Sequence, residues 1–363
     1  MTETPVAVDI GRFTDDPRRS FTLPSAVYTD PAVLELERER IFWRSWILVA
    51  HESDVADTGA YVTVDLLGQP IFLIRSEDDE LRGFYNVYQH RGHLLLEGRG
   101  VAGKRITCPY HAWAYDSAGV LKGARMSDRM DGFDHAEFTL PSVRVETMAG
   151  FIFVNLDDEA RSMDEVYPGL ADELDRLAFH DGPLAAVDTA TFDIAGNWKN
   201  VADNLLECYH CHPAHPGFVD LIDMDGYRND CHENWSVQSG PLRPGTEVYD
   251  AEEGAQTFAS VFIWPNVSIG HIPGQRGRLI FQFFPTGARP PSSASPTTAR
   301  TANERRKRTP VPSGSTPCSA PKTSLSSRAC NAGCARTVTT RAGSSVSPIA
   351  RSCRSTRSTT STR

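Results

Sequence analysis

Two short runs of metal-binding side chains, about a hundred residues apart, constrain this chain more than anything else in it. The first is His90-Arg91-Gly92, followed after seventeen residues (91 to 107) by Cys108-Pro109-Tyr110-His111. The second is Glu207-Cys208-Tyr209-His210-Cys211-His212-Pro213-Ala214-His215. Imidazole and thiolate are the usual ligands of iron and zinc, and such ligands hold an ion only when a fold brings them together. The chain must therefore place each run on a rigid scaffold, and 363 residues are enough for two.

Two Cys on one iron and two His on the other are what a Rieske [2Fe–2S] cluster requires, read as C-x-H, a gap, then C-x-x-H. His90, Cys108 and His111 fit that pattern. The place of the first Cys is taken by Tyr88, in Asn86-Val87-Tyr88-Gln89-His90. A phenol is harder and bulkier than a thiolate and does not normally replace it. In the second run, His210 and His215 are separated by four residues. Two imidazoles and one carboxylate on one face of an iron leave positions open for O2. Glu207 precedes His210 by one helical turn, where it can hydrogen-bond the far nitrogen of a ligand His. Asn204 is predicted on the same helical face. The spacing of Cys208, Cys211, His212 and His215 also admits a zinc site, with core packing of the two cysteines as the other reading.

The pattern along the chain predicts an α+β protein. An N-terminal arm (1–45) carries an amphipathic helix over 31–42. A small all-β domain follows over 46–157, with strands at Trp46–Ala50, Tyr61–Asp65, Pro70–Ile74 and Phe151–Asn155. A second domain (158–288) is predicted to hold a helix over 163–179, a helix from Trp198 that carries the second run, and strands at Val261–Trp264 and Leu279–Pro285. Residues 289–363 contain no Phe, Tyr or Trp and read as a low-complexity, disordered tail.

Charge divides the same way. Of 37 basic and 46 acidic residues, fourteen basic and one acidic (Glu304) lie from Arg289 onward, so residues 1–288 carry 23 basic against 45 acidic, a net of −22. Such a body lacks the basic face that nucleic-acid binding needs and suits a basic redox partner. No apolar run approaches the eighteen or so residues of a membrane span. Met1-Thr2-Glu3-Thr4-Pro5 is not a secretion signal, so a cytoplasmic protein is expected. Its cysteines are then expected in metal or core roles rather than in disulfides.

Taken together, residues ~20–287 resemble the oxygenase (α) subunit of the Rieske non-heme iron oxygenases. The Asn-Val-x-x-His-Arg-Gly-His and Glu-Cys-Tyr-His-Cys runs are similar to the branch that oxidises quaternary ammonium compounds, often by N-demethylation. The alternatives are an aromatic-ring-hydroxylating dioxygenase and a non-catalytic metal-binding remnant. The resemblance implies a Rieske β-domain and a helix-grip (START-like) catalytic domain with an antiparallel sheet. It implies a [2Fe–2S] cluster on His90, Cys108 and His111, with Tyr88 in the lost Cys place, and a mononuclear Fe(II) on His210 and His215. It also implies O2 as co-substrate, electrons from NAD(P)H through a reductase or ferredoxin, and a head-to-tail homotrimer in which Glu207 bridges to His111 of the partner subunit. Trp235, Phe262 and Trp264 are candidates for a cation pocket.

The third iron ligand would be an Asp near the C-terminus, and no acid follows Glu304. The tail has the composition of a GC-rich gene read out of frame. Joining the last base of each codon to the first two of the next, residues 321–335 are compatible with PEDIALVEGVQRGLR, an amphipathic helix with an Asp whose codon spans Lys322 and Thr323. The shift then falls near Gly287–Arg289. A genuine basic tail is the alternative. With Tyr88 at one site and no third carboxylate at the other, little or no oxygenase turnover is expected of the chain as it stands.

Overall fold

A computed structural model describes residues 8–16, 18–177, 188–245, 256–273, 278–285 and 298–302. The chain divides into two compact units, Glu35–Leu184 and Met1–Leu34 with Ala185–Arg363. Two N-terminal helices come first, α1 (Ser25–Thr29) and α2 (Pro31–Arg40).

The unit Glu35–Leu184 is mostly β. Its strands are β1 (Ile47–His51), β2 (Ala60–Leu66), β3 (Gln69–Arg75), β4 (Leu81–Tyr85), β5 (Arg99–Val101), β6 (Ile106–Thr107), β7 (Ala114–Tyr115), β8 (Leu121–Gly123), β9 (Ser142–Met148) and β10 (Phe151–Asn155). Seven make one antiparallel sheet in the order β1-β10-β9-β4-β3-β2-β5, and β6-β7-β8 make a small second sheet. All four strands expected from β-branched and aromatic runs are present, Phe151–Asn155 with the expected bounds and the other three shifted by one residue at their ends. At the β4–β9 pairing a Cβ on Gly83 would meet Val143 and Val145 side chains at 2.7 Å, so the close approach there needs glycine.

The helix expected over 163–179 is two short helices, α3 (Met163–Val166) and α4 (Leu170–Arg176). Gly169 between them has φ +79, a left-handed conformation that ends one helix and opens the next. Residues 178–179 of that expectation lie outside the described residues.

The other unit is built on β11 (Asp188–Thr191), α5 (Trp198–Leu205), α6 (Cys211–Ala214), α7 (Pro216–Leu221), β12 (Arg228–Cys231), β13 (Trp235–Pro241), β14 (Thr257–Ile263), β15 (Val267–His271), β16 (Arg278–Gln282) and β17 (Thr298–Ala302). Its seven strands form an antiparallel sheet, ordered β11-β17-β16-β15-β14-β13-β12. The strand β17 corrects the expectation of a wholly unstructured tail over 289–363. Its backbone pairs with β16 and with β11 on either side, which satisfies groups that a sheet gap would leave open. The rest of the tail lies outside the described residues. So does any helix over 321–335.

Among the described residues no helix is long and apolar enough to cross a membrane.

Candidate metal centres

The first candidate centre lies on two loops of the Glu35–Leu184 unit, and both loops close in the same way. In one, the Tyr88 N–H donates to the His93 carbonyl (3.1 Å) and the Gly92 N–H to the Tyr88 carbonyl (3.2 Å). In the other, the Cys108 N–H donates to the Trp113 carbonyl (2.8 Å) and the Ala112 N–H to the Cys108 carbonyl (3.0 Å). Each turn needs one left-handed residue, Gly92 at φ +67 and Ala112 at φ +57. The Tyr110 N–H reaches Cys108 Sγ at 3.4 Å. The Gln89 N–H donates to Tyr115 Oη at 3.1 Å, which ties the first loop to β7.

Tyr88 and Cys108 are buried, each 1% exposed, among Phe72, Phe84, Ile106, Trp113 and Tyr115. Tyr88 Oη lies 3.0 Å from His90 Nδ1 and is also hydrogen-bonded to His111 Nδ1. Cys108 belongs to the same buried core cluster as Tyr88. The two imidazoles stand 4.7 Å apart, centroid to centroid. Burial raises the phenol's pKa. Desolvation, then the neighbouring His90 and Arg91, lowers that of His111. Tyr88, His90 and His111 are therefore brought together around an oxygen rather than a sulfur, with Cys108 buried in the same core cluster as Tyr88.

The second candidate centre follows α5. Asn197 caps the helix, accepting from the Lys199 N–H at 3.0 Å, and its amide donates to the Tyr28 carbonyl at 3.0 Å. Tyr28 Oη in turn donates to Asp203 at 2.9 Å. Burial holds the Asp203 pKa above the usual carboxylate value, against the pull of Tyr28 and Lys199. The helix ends at Leu205, so the second run is not carried on it as expected. The run occupies a turn and the single turn of α6.

Side chains from the sheet satisfy the carbonyls that this ending leaves open. Gln238 donates to the Leu205 carbonyl (2.6 Å) and Asn229 to the Leu206 carbonyl (2.9 Å). Tyr227 Oη donates to Gln238 Oε1 at 2.5 Å. Burial, and then the negative charge of Glu207, push the Tyr227 pKa up. Sequence reasoning missed Tyr227, Asn229 and Gln238. The available signal was a glutamine inside the strand pattern Trp235–Pro241, where a buried polar group needs partners.

On the turn, Glu207 Oε1 meets His210 Nδ1 at 2.6 Å, and the other carboxylate oxygen accepts the Tyr209 N–H. That leaves Nε2 of His210 for a metal. The His210 and His215 rings are 5.1 Å apart. Desolvation, with His210 beside it, lowers the His215 pKa and favours the neutral, metal-binding form. Asn204 is exposed on α5 and takes no part in this network.

Cys208 and Cys211 are joined as a disulfide, their Cα atoms 5.0 Å apart. This corrects both readings of the pair, because the turn after α5 brings the thiols within bonding range and neither is left for zinc. Among the cation-pocket candidates, Trp235 pairs with Ile263, whereas Phe262 pairs with Ser236. Successive residues of a strand face opposite ways, so Trp235 and Phe262 lie on opposite faces of the sheet. Phe262 shares the face of Gln238 and α5, whereas Trp235 is stacked on His232 at 3.7 Å. Trp264 lies 6.0 Å from Trp198 of α5.

Residues 45–139 match the family model of the Rieske [2Fe-2S] domain, and residues 182–291 match that of the ring hydroxylating alpha subunit (catalytic domain). The carnitine monooxygenase oxygenase subunit of Escherichia coli (strain K12) is 41% identical over 276 residues, covering 75% of this chain and 73% of that protein. The glycine betaine monooxygenase oxygenase subunit of Chromohalobacter salexigens is 34% identical over 206 residues, 56% of this chain and 45% of that one. Among solved structures, a quaternary ammonium Rieske monooxygenase, studied for carnitine oxidation and inter-subunit electron transfer, superposes with a TM-score of 0.71. It is 36% identical, with 82% of this chain and 79% of that chain covered. The chain belongs to the Rieske non-heme iron oxygenases, as an oxygenase α subunit.

The family's two domains imply a [2Fe–2S] cluster, a mononuclear iron, O2 and reductase-derived electrons. The residues present fit these groups unequally. His210 and His215 are the residues that would hold the iron, as two imidazoles on one turn. Among the described residues no three His, Cys, Asp or Glu side chains are grouped to hold an ion, so the third is missing there. The cluster does not fit. Cys108 is the one cysteine beside the two imidazoles in the sequence pattern, and the phenol of Tyr88 is hydrogen-bonded to both of them.

Proposed function

We propose that this chain is built to oxidise a quaternary ammonium compound, and that in its present form it does so poorly or not at all. The observation that carries the first half is the Glu207–His210–His215 turn in a chain 41% identical to a carnitine monooxygenase subunit. His210 and His215 hold Fe(II), and Glu207 fixes His210 in the tautomer that presents Nε2. When bound, the iron supplies an open position for O2.

A trimethylammonium group has no proton to donate, so a site must hold it by charge and by aromatic faces. Phe262, Trp264 and Trp198 suit that role. Trp235, on the other face, does not.

The assembly that goes with this function is a cytoplasmic head-to-tail homotrimer supplied by a reductase. Glu207 then faces His111 of the partner subunit. What supports it is the family and the inter-subunit electron transfer described for the related monooxygenase.

The second half rests on Tyr88 and on the missing third carboxylate. The catalytic family model ends at residue 291, beside the change in composition near 288. The tail is therefore assigned to a shifted reading frame. Resequencing the coding DNA across codon 88 and codons 280–363 checks this directly. A missing or extra base near codon 288 is the expected result, and an intact frame in a fresh isolate sinks the assignment.

The functional test uses the purified full chain with Fe(II). Carnitine or glycine betaine is expected to raise its melting temperature, and benzoate is not. A response to benzoate alone points to an aromatic-ring oxygenase. One zinc per chain, with no iron and no ligand response, points to a metal-binding remnant. NADH-driven O2 uptake coupled to substrate oxidation would overturn the predicted impairment.

A further inference from the structure

A phenol stands where the two loops of the Rieske domain meet. Tyr88 belongs to the first loop and His111 to the second. The Tyr88 hydroxyl is hydrogen-bonded to His90 Nδ1 at 3.0 Å and to His111 Nδ1. A phenol has one proton to give and lone pairs with which to accept. It donates to one imidazole and accepts from the other, so both bonds form between neutral groups and no charge is buried.

Two further links join the same loops. His90 stacks on Trp113, with centroids 5.2 Å apart and planes 10° from parallel. The Gln89 N–H donates to Tyr115 Oη at 3.1 Å. Beneath them the buried Asn86 closes the first loop. Its Oδ1 accepts the Leu95 and Leu96 N–H groups at 3.0 Å, and its Nδ2 donates to the Leu96 carbonyl at 2.7 Å. Loops that carry metal ligands are commonly ordered by the metal itself. Here the phenol performs the same task, drawing two loops to one point and satisfying both imidazoles.

We propose that the Tyr88 hydroxyl replaces the [2Fe–2S] cluster as the clasp between the two loops, so that this Rieske domain reaches its complete fold without iron or sulfide. The same clasp works against a cluster. One oxygen engages Nδ1 of both imidazoles, and the ring that carries it is 1% exposed and packed edge-on against Trp113 at 6.0 Å. The ring cannot swing aside without opening the core. This holds whichever substrate the second centre takes.

Packing and hydrogen bonding have separate effects here. The Tyr88 ring fills volume in the core, which bears on the stability of the whole unit. Its oxygen fixes where the loop tips lie. His90 is exposed and His111 half-buried, so water can satisfy both imidazoles once the hydroxyl is removed, and neither ring is stranded. Loss of the hydroxyl therefore loosens the loop tips without unfolding the unit.

The test uses the full chain, as purified and after dialysis against EDTA. No acid-labile sulfide is expected in either sample. Amide hydrogen exchange at Tyr88, Gly92, Cys108 and Ala112, whose N–H groups close the two loops, reports the clasp. These amides should be protected, and equally so before and after EDTA. Tyr88→Phe keeps the ring and removes the oxygen. Exchange at these amides should then rise about 10-fold, since each lost hydrogen bond is worth roughly 2- to 10-fold in an opening equilibrium. Amides of β10, in the same unit, should not change. His111→Ala should also speed the loop amides. The double variant should fall short of the product of the two single effects, because both remove the same bond. A cluster's worth of iron and sulfide in the purified chain, or unprotected loop amides after EDTA, would overturn the proposal. So would loop exchange unchanged in Tyr88→Phe, a rise of equal size in β10, or effects that multiply in the double variant.

Discussion

The two candidate centres are held by different forces. Around the first, the donors are part of a packed core. Tyr88 and Cys108 are buried with Phe72, Phe84, Trp113 and Tyr115, and the two loops close on backbone hydrogen bonds. Around the second, the donors sit on a turn after the end of α5. That turn is held by Gln238, Asn229 and Glu207, whose side chains satisfy open carbonyls and aim one imidazole. A packed site tolerates exchange of a ligand for another group that fills space, because volume is what the core demands. Tyr88 satisfies that demand. A hydrogen-bonded turn gains little from volume and depends on particular polar atoms.

The largest effect that would sharpen this contrast lies in the first core. Phe72 is fully buried and its ring packs 5.5 Å from that of Phe84. Phe72→Ala should destabilise the protein by about 3–5 kcal/mol, the range for truncating a buried aromatic. Urea unfolding measures it. A loss under about 1 kcal/mol would mean that packing does not hold the first centre.

Glu207→Gln addresses the second. It removes the charge that orients His210 while keeping the size of the side chain. Fe(II) or Co(II) affinity at His210 and His215 should fall by about 10–100-fold, with little change in melting temperature. Equal loss of stability and affinity would show that the turn is held in the same way as the core.

How much of this was legible in the sequence follows the same division. Strands appear where β-branched and aromatic residues alternate with turns, and β2, β3 and β10 were readable for that reason. The His and Cys pairs were readable because ligand spacing is local. The end of α5 was not, since neither Pro nor Gly occurs between Trp198 and His212. The break depends on Asn229 and Gln238, more than twenty residues further on. The split between α3 and α4 was marked by Pro168-Gly169, a turn signal that the expectation of one helix over 163–179 passed over. The Cys208–Cys211 disulfide was hidden for the same reason as the end of α5, because its geometry belongs to the turn. The convergence of both imidazoles on the Tyr88 oxygen needed coordinates, because sequence shows a missing ligand but not what its replacement touches.

Gln238 offers a finer cut. It donates to the Leu205 carbonyl and accepts from Tyr227, and it is buried. Gln238→Leu keeps the approximate volume and removes both bonds, leaving a half-buried carbonyl and a half-buried hydroxyl without this partner. A loss of about 1–2 kcal/mol is expected, together with weaker metal binding at His210 and His215. If volume alone mattered, as at the first centre, Gln238→Leu would be neutral in both measurements.

The smallest expected effect separates packing from titration inside the first unit. His51 closes β1, accepts the Ser53 N–H at 3.1 Å and packs edge-on against Phe151. Desolvation by burial lowers its pKa from 6.5, with Asp54 and Glu52 pulling the other way. The folded state then binds fewer protons than the unfolded state wherever the two differ, so stability rises with pH. This contribution is fully present above pH 6.5 and is lost as the pH falls from there through the lower folded value. His51→Asn retains an acceptor for the Ser53 N–H and cannot titrate. Urea midpoints at pH 7.5 and at pH 5 should differ more for the unaltered chain than for His51→Asn. An equal difference in both would assign the acid sensitivity of this unit to other groups and leave His51 as packing alone.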